Sequence, residues 1–282
     1  MISDIFPHRF NNHYQPGKQL EENDFVLHFK GNSLLLKTDG DQLQIPRKKD
    51  FSEIKAEAFF LFTLDEKACF LVNGELGINN KSLDYRDIGF FRTIKQQDIA
   101  WGSIVGLHLW NWYSEHRFCG KCGARMQHKI DERAMQCPEC GALYFPKISP
   151  AIIVAITCND KLLLARNANF PEGWYALIAG YVDVGETLEE TVKREVKEEV
   201  GLEIKNIRYY TSQPWPLSGS MMVGFVAEAD EHQSICIDNN EIVDAAWFSR
   251  GNLPNHPNNL SISGELIEKF EKGELQVFQE NI

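Results

Sequence analysis

Short apolar runs broken by small polar turn pairs dominate the first third of the chain. Phe25–Phe29, Ser33–Thr38, Ala58–Leu64 and Ala68–Asn73 are apolar or alternating. Gly31–Asn32, Asp39–Gly40 and Asn73–Gly74 punctuate them, and these residue types tolerate the backbone of hairpin turns. The pattern predicts a β-rich region and carries no catalytic motif. It changes at Gln96, where Ile99, Ser103, Leu107, Trp110 and Ser114 recur near helical spacing and Ala100, Ile104 and Trp112 widen the stripe. One helix is expected over about 96–116, leading into a cysteine-rich segment. Beyond Pro146 and Pro150, strands are expected at Ala151–Cys158, Lys161–Arg166 and within Trp174–Val182. From Thr187 the period turns helical again, with Leu188, Val192, Val196 and Val200 in one stripe. Thr187 with Glu190 three residues on is the spacing of a capping box, and Gly201 suits the end of the helix. Strands over 207–211, 221–229 and 243–249 and a last helix over 262–272 complete the pattern. The fold class is α/β (α+β), with domains expected at 1–114, 115–146 and 147–282.

Bulk composition narrows the class. The chain is 43% hydrophobic, 24% charged and 11% aromatic, with a formal net charge of −11. That is the profile of a globular protein with room for a sizeable core. The acidic balance argues against a protein that merely tracks phosphates. No apolar run approaches the roughly 20 residues of a membrane span, and the first residues lack a secretory pattern. A cytoplasmic location without membrane contact is expected. Cys69, Cys158 and Cys236 stand alone and are expected to be small buried hydrophobes.

The other four cysteines are arranged differently. Cys119 and Cys122 form one C-x-x-C pair, and Cys137 and Cys140 form a second after residues 123–136. This spacing reads as a zinc ribbon. Four thiolates close a tetrahedral site and leave no position for water, so the expected Zn²⁺ is structural, one per chain. Arg117, Lys121, Arg125, His128 and Lys129 give the unit a basic flank. Taken with the acidic whole, the plainer reading is a connecting module, and nucleic-acid contact is the alternative.

Three carboxylates, Glu195, Glu198 and Glu199, fall on one sector of the helix predicted from Thr187. Like charges one turn apart cost an isolated helix only a few tenths of a kcal/mol. A solvated acidic face is therefore permitted, and it is the better reading of the cluster by itself. The other reading is a cage for hard divalent cations, which take oxygen ligands and bridge carboxylates to phosphates. The surrounding residues decide between them. Gly180, Glu186 and the run Arg194-Glu195-Val196-Lys197-Glu198-Glu199-Val200-Gly201-Leu202 fill every fixed position of G-x5-E-x7-R-E-U-x-E-E-x-G-U, where U is apolar. The chain resembles the Nudix hydrolases.

That resemblance implies a Nudix α/β/α sandwich with a mixed sheet, preceded by a zinc ribbon and a β-rich N-terminal domain. It implies Mg²⁺ or Mn²⁺ at Glu195 and Glu199, with the Ala179 carbonyl and Glu241 completing the site and Asp238 and Asp244 as competitors for the last position. Glu195, Glu198 and Glu199 would carry the catalysis, with Arg194 orienting a neighbouring carboxylate. Downstream, Ser212-Gln213-Pro214-Trp215-Pro216-Leu217-Ser218-Gly219-Ser220 resembles S-Q-P-W-P-F-P-x-S, the signature of the NADH pyrophosphatase branch. Leu217 and Ser218 depart from it, which loosens the loop and removes an aromatic contact.

Members of this branch are homodimers that split NADH or NAD⁺ into AMP and nicotinamide mononucleotide, and bacterial members also remove an NAD cap from RNA. Carried over by position, Tyr181 would stack on the nicotinamide with Trp215 of the partner subunit facing it. Gln213 and Ser220 would make polar contacts in the same loop, which Pro214, Pro216, Leu217, Ser218 and Gly219 complete. Phe145 would flank the adenine, Glu132 would reach the adenosine and Ser263 would line the pocket. Two other readings stay open: a Nudix pyrophosphatase for ADP-ribose, FAD or a dinucleoside polyphosphate, and a non-catalytic nucleotide-sensing regulator with a nucleic-acid-binding ribbon.

Overall fold

The structure, a computed structural model, describes residues 1–40, 42–78, 81–237 and 240–275. By compactness the chain divides into two units. One holds residues 2–147 with 216–219, and the other holds residues 148–215 and 220 onward, with Met1.

The first unit is built from small sheets. Strands β1 (Phe25–Leu27), β3 (Ala58–Leu64) and β4 (Lys67–Val72) share a sheet with Phe10–Asn11, while β2 (Ser33–Asp39) and β5 (Leu83–Asp87) share another with Phe29–Lys30. The apolar run Phe25–Phe29 is expected as one strand but breaks at His28. Its first half runs parallel to β4, and its second half pairs with β2. His28 is buried and held from two sides, its Nε2 2.9 Å from the Gly74 carbonyl and its Nδ1 2.7 Å from the Tyr85 hydroxyl. The side-chain bonds of one residue thus distribute a single hydrophobic run between two sheets. Helix α1 (Gln97–Glu115) agrees with the expected span to within a residue at each end. Gly106 brings it close to this bend: a Cβ there would press on Leu27 and Phe29.

The second unit is a six-stranded mixed sheet. Its path is β9 (Ile204–Trp215), β10 (Ser220–Ala229), β6 (Ser149–Cys158), β7 (Lys161–Asn167) and β11 (Ile242–Ser249), with β8 (Ile178–Tyr181) paired to β6. β6 and β10 run parallel from Ser149–Ser220 to Thr157–Glu228, and the other pairings are antiparallel. Period-two alternation in β6 separates two cores. Ile152, Val154 and Ile156 pack with Val192, Val196 and Val200 of α2 (Leu188–Val200). Ile153 and Ala155 pack with Ile262, Leu266, Ile267 and Phe270 of α3 (Ile262–Glu271). The two helices therefore cover opposite faces, giving the expected α/β/α sandwich. Among the described residues no helix is long and apolar enough to cross a membrane.

Two segments differ from expectation. Of Trp174–Val182 only Ile178–Tyr181 is strand, because the preceding residues make only isolated bridges, Ala176 to Ala165 and Trp174 to Asn255. β9 is much longer than residues 207–211, since β10 offers it ladder partners as far as Trp215 opposite Ser220. Of the three lone cysteines, Cys69 is buried, and burial pushes its thiol pKa up. Cys158 is only partly buried and Cys236 is exposed, so the small-hydrophobe reading fits Cys69 alone.

Candidate active site and zinc centre

The predicted cap signals position α2. The Thr187 hydroxyl accepts from the Glu190 N–H, the Glu190 carboxylate accepts from the Thr187 N–H, and Gly201 ends the helix at φ +73°. The apolar stripe docks inward, which turns the acidic sector toward the end of β8. Glu199 is buried at 7% exposure, Glu195 is half-buried and Glu198 is exposed. A carboxylate at the depth of Glu199 needs hydrogen bonds or cations to offset lost hydration.

Gly180 opens the motif for a steric reason. A Cβ built on it would overlap the Glu195 carboxyl group, 2.0 Å from its carbon, so that group packs against the β8 backbone at Gly180. Gly180→Ala is therefore expected to expel Glu195 from its position. Overpacking of this kind costs about 1–3 kcal/mol of stability. The larger effect is expected on turnover, at least about tenfold by loss of carboxylate positioning. Steady-state rates beside melting curves check this, and a fully active, normally stable variant would refute it.

Arg194 is the hub of the acidic sector. Its Nε and Nη2 donate to the two Glu186 oxygens at 2.5 and 2.9 Å. Its Nη1 donates to Glu195 at 2.8 Å and Glu198 at 3.0 Å, and Nη2 also reaches the Tyr181 carbonyl at 3.0 Å. The planar fork of guanidinium suits this multiple grip, where the point charge of lysine would not. The Arg194 bonds, foremost, hold the Glu186 carboxyl well below its usual range, to about 2. Glu195 shifts the other way. Burial pushes its pKa up, the like charges of Glu198 and Glu241 add to this, and Arg194 opposes it. Glu241 is thus within electrostatic reach of the cluster although it comes from the start of β11.

Further residues of this neighbourhood carry no motif signal in the sequence. Asn167, at the end of β7, donates its Nδ2 to Glu241 Oε1 at 3.2 Å, while the Ala168 N–H donates to the Glu241 carbonyl at 2.9 Å. Tyr175 donates its hydroxyl to Asp244, and Asp244 lies opposite Arg166 in the β7–β11 register. Asp244 is thereby engaged by Tyr175, and Glu241 by Asn167. Asp238 lies outside the described residues. Sequence offers no local signal for Asn167, because its role comes from strand register across 74 residues.

The downstream motif is placed in strands rather than in one loop. Gln213, Pro214 and Trp215 sit in β9 opposite Met222, Met221 and Ser220, and only Pro216–Gly219 form the turn. The Tyr181 hydroxyl lies 3.2 Å from Ser220 Oγ, and Tyr181 keeps 54% of its surface exposed. Gln213 is fully buried. Its amide donates to the Leu260 carbonyl at 2.9 Å and accepts from the Ile262 N–H at 2.7 Å, so it caps the entry to α3. Ser263, in the first turn of α3, is buried, and its hydroxyl has no hydrogen-bond partner among the described residues. Pro216, Leu217, Ser218 and Gly219 belong by compactness to the first unit, as do Glu132 and Phe145. Glu132 accepts from Lys129 at 2.9 Å, and Phe145 is 53% exposed.

The four motif cysteines converge. Their sulfurs all lie within 4.8 Å of one another, with Cys119–Cys140 at 3.6 Å and Cys122–Cys137 at 3.4 Å. Four thiolates about 2.3 Å from one Zn²⁺ would stand about 3.8 Å apart, so the donor set fits this ion. Gly123 and Gly141, at φ +76° and +73°, close the two knuckles by donating to the Cys119 and Cys137 carbonyls. Knuckle N–H groups, those of Lys121 and Cys122 for Cys119 and that of Cys140 for Cys137, pull these two thiols below their usual range, Cys119 to about 6. Among the described residues only these four cysteines stand close enough together to grip one ion; the carboxylates of the acidic sector share the oxygen chemistry that Mg²⁺ and Mn²⁺ take but are not gathered to that distance.

Residues 147–270 match the NUDIX domain, and residues 114–145 match the NADH pyrophosphatase zinc ribbon domain. The chain is 43% identical over 184 residues to a protein of Salmonella heidelberg named NAD-capped RNA hydrolase NudC, covering 64% of this chain and 71% of that one. A protein of the same name from Pseudomonas aeruginosa is 44% identical over 172 residues, covering 61% of this chain and 60% of that one. A crystal structure of a NUDIX hydrolase from Nitrosomonas europaea aligns with a TM-score of 0.48 at 21% identity, covering 55% of this chain and 90% of that one.

Proposed function

Since this chain belongs to the Nudix hydrolase family, we propose that it hydrolyses the diphosphate of NADH and NAD⁺ to AMP and nicotinamide mononucleotide, and that it removes the same NAD group from the 5′ end of RNA. The observation that carries this is the Arg194 hub, which ties Glu186, just before α2, to Glu195 and Glu198 on the helix, with Glu195 against the Gly180 backbone. The ribbon match and the relatives' name support the dinucleotide and the cap as substrates.

The reaction adds one water to a P–O–P bridge. The water oxygen bonds to one phosphorus, the bridging P–O bond breaks, and each product leaves with one phosphate. Glu195, Glu199 and Glu241, with the Ala179 carbonyl, would hold Mg²⁺ or Mn²⁺. Such ions supply charge neutralisation for the diphosphate and a lowered pKa for bound water. Arg194 fixes the direction of Glu195 and Glu198 before substrate arrives, which lowers the reorganisation needed at reaction. Glu198, exposed at the rim, can accept a proton at that position. Tyr181 offers its exposed ring for stacking on a nicotinamide or adenine face, with its hydroxyl steadied by Ser220. The unpartnered Ser263 hydroxyl is suited to a polar substrate atom. In this reading the four-cysteine zinc is structural and the enzyme works as a homodimer.

The test is product analysis with NADH, NAD⁺, ADP-ribose, FAD and an NAD-capped oligoribonucleotide, each with and without Mg²⁺ and Mn²⁺. AMP and nicotinamide mononucleotide formed only with divalent metal are expected. Turnover confined to ADP-ribose or FAD, or binding of NAD⁺ without any cleavage, would overturn the proposal.

A further inference from the structure

The first unit contains a groove of about 950 Å³ that the reaction above does not use. Strand β3, helix α1 and the cysteine unit each supply a wall. Its floor is a ladder of rings: Phe59 and His128 are stacked with centroids 3.8 Å apart and planes at 11°, and Tyr113 lies 4.8 Å from His128. All three rings are only half-buried. Arg117 and Arg125 line the groove from the cysteine unit, and both are exposed. Among the described residues neither guanidinium has a hydrogen-bond or ion-pair partner. The other charged lining groups are Lys48, which is paired to Glu22 at 2.9 Å, and Glu57. In a chain of net charge −11, this rim is a local reversal of sign.

The combination selects a ligand chemistry. Free guanidinium groups seek phosphates or carboxylates, and half-exposed aromatic rings offer stacking to flat bases. An acidic peptide would satisfy the arginines but leave the ring ladder unused. A single-stranded nucleic acid uses both, with its backbone along the rim and a base against the rings.

We propose that this groove binds single-stranded RNA, namely the transcript that follows the NAD group. The proposal rests on the capped-RNA reading above, and the groove supplies affinity for the RNA body while the acidic sector does the chemistry.

Arg117→Gln/Arg125→Gln removes both rim charges at exposed positions and leaves the cysteines and rings in place. Turnover of free NADH by this variant is expected within about twofold of the parent, since phosphate contacts outside the reaction site act on binding alone. Cleavage of an NAD-capped oligoribonucleotide is expected to fall about tenfold in kcat/KM at low salt. Anisotropy with an uncapped fluorescent oligoribonucleotide should show weaker binding, and its slope against log salt should flatten by about 1.4 for two lost single-strand phosphate contacts. Equal cleavage of capped RNA by parent and variant, equal loss on NADH and capped RNA, or displacement of the oligoribonucleotide by a polyglutamate peptide would each overturn the proposal. Failure of the parent to cleave NADH would instead sink the enzymatic reading, and the anisotropy arm would still decide the groove.

Discussion

Glu199→Gln is expected to lower turnover of NADH by about 10²–10⁴-fold, as several kcal/mol of metal-borne stabilisation of the transition state is lost, while the protein stays folded. Glu199 is the deepest carboxylate of the acidic sector, at 7% exposure, and its helical neighbour Val200 is wholly buried. Glutamine keeps the size and the oxygen acceptor but removes the charge. A hydrated divalent ion gains far less from a neutral amide than from a carboxylate. Stability should stay close to the parent's, because the amide keeps an acceptor oxygen at the same depth. Glu189→Gln, on the exposed side of the same helix, is the control and should leave rates unchanged. Steady-state kinetics at saturating Mg²⁺ and Mn²⁺, beside thermal melts, give both readings. Near-parental activity in Glu199→Gln would remove this side chain from the chemistry.

Replacing a buried knuckle thiol has a different signature. Cys137→Ser is expected to abolish the bound zinc and to unfold the cysteine unit locally. The core there is small: Trp112, Met126, Met135, Cys119 and Cys137 are its buried members. Two of those five are the proposed ligands, so the ion replaces hydrophobic mass that the segment lacks. Zinc binding supplies about 10–16 kcal/mol in isolated zinc-finger peptides, and here too that energy is folding energy. A serine at this position forfeits most of it. The melting temperature should drop by more than about 5 °C, since each kcal/mol shifts a unit of this size by roughly 2–4 °C. Trp112 anchors α1 in the same cluster, so its emission should move to longer wavelength as the cluster opens. Elemental analysis should fall from one zinc per chain to near none. A variant that keeps stoichiometric zinc and the parental melting point would show that the four sulfurs do not form the site.

The sequence was most informative where the physics is local. The span of α2, its Thr187–Glu190 box and its Gly201 stop follow from caps and periodicity, and they carry the acidic sector with them. The cysteine pairs were legible for the same reason, because each knuckle is a turn of a few residues. Long-range pairing was not legible. Asn167 meets Glu241 only because the β7–β11 ladder shifts register after Arg166, which sets Asn167 opposite Ile242. Gln213 looks like part of a substrate loop in sequence, yet strand pairing with β10 carries it inward to cap α3. His28 divides a run that hydropathy alone reads as continuous. The Arg194 grip on the Tyr181 carbonyl joins the start of the motif to its helix, and no spacing rule marks a side chain's backbone partner.

Strand β6 is shared by both cores, and it hydrogen-bonds to β10 along most of its length and to β8 near its start. Ala179 and Tyr181, the carbonyl and ring proposed for the site, therefore rest on an anvil that cannot shift unless both sides of the sandwich come apart together. Adjustment to substrates of different bulk would then fall to the periphery of this unit, to the approach to Glu241. Evolution can retune what this enzyme accepts at those margins without disturbing the surface on which the bond is broken.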